Sequence, residues 1–192
     1  TVPAPWPIPS CPSCSYVVTH YEMERPRQSL CSQIVVSVGY QSISNRSTYF
    51  RLGFLCDKMD RTLIDTAITF VKASWQEEGN EEHVRESLEY SLAHLDEYLK
   101  LPTEDKDKIH ERTALVLRGE VLRRLGRFEE AREQFESLRV TPGFQLGMEA
   151  KVIAYELKLC EEEDASPRTV AEAVAYAEGG APGESGMTDE PD

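Results

Sequence analysis

The chain has 192 residues, 34 of them acidic and 21 basic, for a formal net charge of −13. That length supports one good core with a small appendage. So acidic a chain repels phosphate backbones, which argues against nucleic acid as a partner. No run approaches the ~20 apolar residues of a membrane span.

In chain order, residues 1–10 carry Pro3, Pro5, Pro7 and Pro9 and read as an extended arm. No basic segment leads into an apolar one, so no signal peptide is expected. Cys11-Pro12-Ser13-Cys14 follows at once. Pro26 fits the first position of a helix. Leu30, Ile34, Val35 and Val38 recur at helical spacing, which predicts a short helix over 26–37; their β-branched members leave a strand open. From Ser47 the helical period is sustained. Tyr49 to Met59 predicts one helix and Thr62 to Trp75 the next, with Gly79-Asn80 as a stop. Val84, Leu88, Ser91, Leu92, Leu95 and Leu99 place another helix before Pro102. Thr103 with Glu104 and Asp105 predicts an N-cap and an acidic first turn for a helix ending at Gly126. Phe128–Leu138, Phe144–Glu162 and Pro167–Glu178 complete the series, the last capped by Ser166. With no hairpin signal, an all-α fold of antiparallel helix pairs is expected. The expected divisions are an arm and knuckle over 1–25, a helical domain over 26–178 and a disordered acidic tail over 179–192. Charge follows that division: from Glu161 onward there are ten acidic residues and one basic residue, Arg168.

The sharpest motif is Leu117-Arg118-Gly119-Glu120-Val121-Leu122-Arg123-Arg124-Leu125-Gly126-Arg127-Phe128-Glu129-Glu130-Ala131, followed by Phe135 and Pro142. It resembles the tetratricopeptide repeat, a helix-turn-helix unit of about 34 residues. Gly119 is small enough for two helices to approach, and Gly126 can end a helix with positive φ. Leu115 stands where the family has an early Trp, and Arg118 where it has a large apolar residue. A weaker copy starts at Tyr49, with Gly53 and Phe70 or Val71 in the corresponding places. The resemblance implies a TPR-like stack that binds a protein or peptide on a face lined by first helices. The exposed first-helix positions expected there are Phe50, Arg51, Phe54, Glu120, Arg123 and Arg124. Arginines suit an acidic or C-terminal peptide. The plainer alternatives are a generic helical bundle and i, i+4 pairs such as Glu120–Arg124 on a solvated face.

Cys11 and Cys14, two residues apart on a tight turn, suit a zinc knuckle. Ser15 stands where such turns favour Gly. His20 and Cys31 are the nearby candidates for completing a Zn²⁺ site; a redox pair is the alternative and would want a neighbouring sheet. Together with Ser47-Thr48-Tyr49-Phe50 and Ala73-Ser74-Trp75-Gln76, these residues resemble an uncharacterised family of bacterial proteins that join N-terminal Cys-Pro-x-Cys pairs to a TPR-like region. Members of that family carry an earlier Cys pair, so the resemblance implies that Thr1 marks a cut between the halves of a zinc ribbon. It offers no activity to carry over.

The five cysteines form no disulfide framework, which points to a reducing compartment and a cytoplasmic location. The histidines, His20, His83, His94 and His110, stand in no ligand or nucleophile motif and are expected at the surface. HExxH, GxSxG and phosphate-binding loops do not occur. The expected function is therefore a non-enzymatic interaction module, with a structural zinc module as the alternative.

Overall fold

Polar side chains that accept from free backbone N–H groups set most of the helix starts. The computed structural model describes residues 8–17 and 25–179. Within them the helices are α1 (Arg25–Val35), α2 (Val38–Ser42), α3 (Thr48–Lys58), α4 (Leu63–Gln76), α5 (Glu81–Lys100), α6 (Lys108–Arg124), α7 (Phe128–Val140), α8 (Gly147–Glu161) and α9 (Val170–Ala177). Ser37, Ser47, Thr62 and Asn80 cap α2 to α5 through their side chains. Gly126, at φ +75°, closes α6 as its sequence position predicts.

Three predicted starts are corrected. Thr103 opens only a short 3₁₀ turn, Thr103–Asp105. Asp107 caps α6 instead, because its carboxylate accepts from both Ile109 N and His110 N. Helix α8 begins at Gly147, and Phe144 is buried in the loop before it. Helix α9 begins beyond Pro167: Thr169 and Glu172 form a reciprocal capping box that outcompetes Ser166. The five-residue α2 is too short for a periodic pattern to announce it.

Each helix from α3 to α9 packs on the next, so the fold is all-α and built of adjacent helix pairs. It is compatible with a TPR-like arrangement. Two pairs approach closely at a glycine. A Cβ on Gly119 would lie 2.7 and 2.8 Å from ring carbons of Phe135, and one on Gly53 would lie 2.8–2.9 Å from the Phe70 ring. The main core joins Ile64, Leu88, Leu95, Leu122, Phe135 and Ile153 across α4 to α8. A second cluster of Cys31, Val35, Tyr40 and Leu55 lies under Cys14 and Tyr16.

Beyond sequential neighbours, α6 touches α4 and α8. Helix α3 meets α5 through the Phe50–Tyr90 rings and the Asp57–His94 pair. The helices thus alternate between two layers, with α4, α6 and α8 in one and α3 and α5 in the other. Among the described residues no helix is long and apolar enough to cross a membrane.

Candidate functional site

The cysteine pair sits on a small hairpin. Ser10 and Val17 form an isolated antiparallel bridge, Cys11 N donates to Tyr16 O at 2.7 Å, and Ser15 N donates to Cys11 O at 2.9 Å. No hairpin is expected from the sequence, because the turn is built from backbone bonds around the cysteines rather than from Gly or Asn. Ser15 adopts φ +60°, the left-handed conformation a knuckle asks for at that position. The backbone N–H groups of Cys14 and Ser13 face the Cys11 sulfur and hold its thiol below the usual value. Left-handed Ser15 also turns its carbonyl toward the helices. There it accepts from Tyr40 Oη at 3.0 Å and from Arg51 Nη1. Gln41 Nε2 adds a bond to Cys14 O at 3.2 Å. Burial pushes the Tyr40 hydroxyl up to about 12, against the pull of Arg51.

Cys31, from α1, lines the same concavity of about 420 Å³ as Cys11, Cys14 and Tyr16. Burial pushes its thiol up, with Tyr16 working against that. The turn geometry therefore fits two thiolates of a metal knuckle, with Cys31 across the cavity. Among the described residues no group of three or more His, Cys, Asp or Glu side chains is close enough to hold a metal ion. His20 lies outside the described residues.

The expected exposed first-helix face is corrected in two ways. Phe50 and Arg51 are buried, Phe54 is half-buried, and Arg123 and Arg124 are 0% and 8% exposed. Phe50 packs edge-on to Phe70 with Arg46 over its ring, and Arg51 is spent on the knuckle. The two groups of residues also lie in different layers, on α3 and α6, and form no single face.

Around α6, Arg123, Arg124 and Glu156 are buried as a cluster beside half-buried Glu120. Arg123 Nε bonds Glu156 Oε2 at 2.6 Å, and its Nη1 donates to the carbonyls of Asp164 and Ser166. Arg123 Nη2 and Arg124 Nη1 are buried without a hydrogen-bond partner among the described residues. Burial, with Glu156 adding to it, pushes Glu120 up to about 7 against the attraction of Arg124 and Arg123. Burial pulls the Arg124 guanidinium down, and Glu120 opposes it. Glu120 is half-buried and Arg124 buried, so their spacing does not make the solvated pair it suits. Arg124 lines a cleft of about 750 Å³ between the start of α5, the end of α6 and the loop from α8 to α9.

Two polar centres carry no warning in the sequence. Arg46 is buried, with Glu77 Oε1 at 2.9 Å from its Nε and Oε2 at 3.0 Å from its Nη2, and Ser87 also donates to Glu77. Despite burial, these donors hold the Glu77 carboxyl below its usual value. His94, expected at the surface, is buried: its Nδ1 lies 2.8 Å from Tyr90 O and its Nε2 lies 3.1 Å from Asp57 Oδ1. His83 is half-buried and His110 exposed.

No family model, no curated protein and no solved structure matches the chain.

Proposed function

We propose that this chain is a non-enzymatic interaction module that holds a protein or peptide through stacked, tetratricopeptide-like helix pairs. The observation that carries this reading is the glycine–aromatic hairpin, present twice: Gly119 against Phe135 and Gly53 against Phe70. Closely approaching helix pairs of this kind offer extended surfaces for partners. The test is cross-linking of the purified chain in a cell lysate, followed by titration of the recovered partner. A saturable complex of micromolar or tighter affinity, with cross-links on α4 to α8, is expected. Turnover of a substrate by the chain, with no such complex, overturns the reading.

A second reading, a zinc-binding module, is favoured by the left-handed Ser15 and by the N–H groups aimed at Cys11. In it Cys11 and Cys14 supply two thiolates to Zn²⁺, and Cys31 and His20 complete the four-ligand set. Metal analysis of purified protein tests this. About one zinc per chain, lost in Cys11→Ser, is expected; less than ~0.2 zinc per chain in a folded sample overturns it.

A further inference from the structure

We infer that the cleft at the C-terminal ends of α4, α6 and α8 binds a basic peptide segment, with Arg124 donating to a backbone carbonyl and Glu78, Glu81 and Glu163 receiving its cationic side chains. This rests on the interaction-module reading and names the partner's chemistry.

The cleft, about 750 Å³, is large enough for several residues of an extended chain. Its apolar surface comes from half-buried Val84 and Leu125, with Leu88 in the core behind them. Arg124 is 8% exposed and forms no hydrogen bond among the described residues. Glu120 and Glu78 offset part of its charge, but a buried donor such as Nη1 left without an acceptor is costly, and a carbonyl brought against Arg124 relieves that cost. The surroundings decide which acceptor is accommodated. Helices α4, α6 and α8 end at Gln76, Arg124 and Glu161, so three negative dipole ends face this region, against the one positive end of α5, which Asn80 caps. Glu78, Glu81 and Glu163 are exposed on the rim, and none of them forms an ion pair among the described residues. The other charged groups there are already engaged: Arg85 with Glu89 at 3.4 Å, and Asp164 with Arg168.

Three exposed carboxylates without a salt-bridge partner among the described residues therefore stand around a guanidinium with one unfilled donor, Arg124 Nη1. A phosphate or an acidic peptide would meet the rim's repulsion before reaching Arg124. A bare cation would leave Arg124 without an acceptor. A peptide with lysine or arginine residues satisfies both, and the aliphatic stems of those residues cover Val84 and Leu125.

The test is titration of the full chain, followed by amide resonances, with three probes: acetyl-Gly-Lys-Leu-Lys-Leu-Lys-amide, the same peptide with Glu for Lys, and free L-arginine. The basic peptide is expected to saturate and to shift Val84, Leu88 and Gly126. The exposed double variant Glu81→Gln/Glu163→Gln is expected to weaken it about 10-fold and to flatten its salt dependence. Arg124→Met is expected to weaken it as well. Equal binding of the acidic peptide, shifts confined to another surface, or free arginine saturating as tightly overturns the inference. A cross-linked protein partner in a chain that ignores the basic peptide overturns this inference and leaves the module reading standing. The absence of any partner removes both.

Discussion

Gly119→Ala tests the close approach of α6 and α7. On helix propensity alone the substitution stabilises an interior helical position by about 1 kcal/mol. The structure reverses the sign. The added Cβ falls 2.7 and 2.8 Å from Cε1 and Cε2 of Phe135, well inside van der Waals contact. Phe135 is 0% exposed and cannot swing into solvent. Overpacking of this kind costs about 1–3 kcal/mol or somewhat more, so a net loss of about 1–2 kcal/mol is expected. In urea unfolding followed by helical circular dichroism, that lowers the midpoint by about 0.5–1 M. Phe135→Leu removes the ring edge, so Gly119→Ala should cost little in that background, and the double-mutant cycle should show the coupling. Gly39→Ala, whose Cβ would sit 3.5 Å from Phe54 Cζ, is the tolerated control. An unchanged or raised midpoint for Gly119→Ala would refute the close approach and weaken the repeat-like pairing built on it.

Three further outcomes follow from the charges and thiols. Cys11 should label first with iodoacetamide near neutral pH, because N–H donors lower its thiol, whereas burial pushes Cys56 and Cys160 up to about 11; peptide mass spectrometry giving the opposite order contradicts the knuckle geometry. Glu120 has its folded value raised to about 7, so the stability it contributes is present below its unfolded value and is lost as pH rises through 7. Glu120→Gln should therefore raise the urea stability by about 1–2 kcal/mol at pH 8 and change little at pH 4; a pH-independent difference removes the argument. Asp164 has the opposite sign: despite burial, Arg168 and Ser166 N hold it down to about 2, so its stability is present above the unfolded value and lost as pH falls. Asp164→Asn should cost about 1–2 kcal/mol at pH 7, with the gap closing below about pH 3, as thermal melts across that range would show.

Helices α3 to α7 were legible because their apolar residues recur every three to four positions and polar or glycine residues mark the ends. The exceptions have local causes. Thr169-x-x-Glu172 is a readable capping box, but Ser166-Pro167 offers an earlier start of the same chemistry. Asp107 wins over Thr103 only because two N–H groups reach its carboxylate. The candidate surface was less legible. Periodicity places Arg123 and Arg124 beyond the apolar stripe of α6, and nothing nearby in sequence reveals that α8 brings Glu156 against Arg123. Arg46, Glu77 and Ser87 meet the same limit, since their contacts are set by how α5 returns along α3 and α4. At the cysteine turn, Ser15 stands where glycine is expected, yet it takes the backbone conformation for which glycine is favoured, and Tyr40 and Arg51 fix its carbonyl there.

The layer order decides what kind of surface remains. The glycine–aromatic hairpins α3–α4 and α6–α7 are separated by the single helix α5. From α3 to α6 each step along the chain changes layer, so the intervening α5 turns the second hairpin over relative to the first. Equivalent first-helix positions then cannot line one groove, which is why Phe50 and Arg51 support a knuckle and a core while Arg123 and Arg124 face α8 and its following loop. A partner that needed a continuous groove of first helices would find none between α3 and α6. The end of the α4, α6 and α8 layer offers instead a cleft beside Arg124, whose buried Nη1 has no hydrogen-bond partner among the described residues. Binding there requires only that three helix ends be held together. The core of Leu88, Leu122 and Ile153 beneath them supplies that.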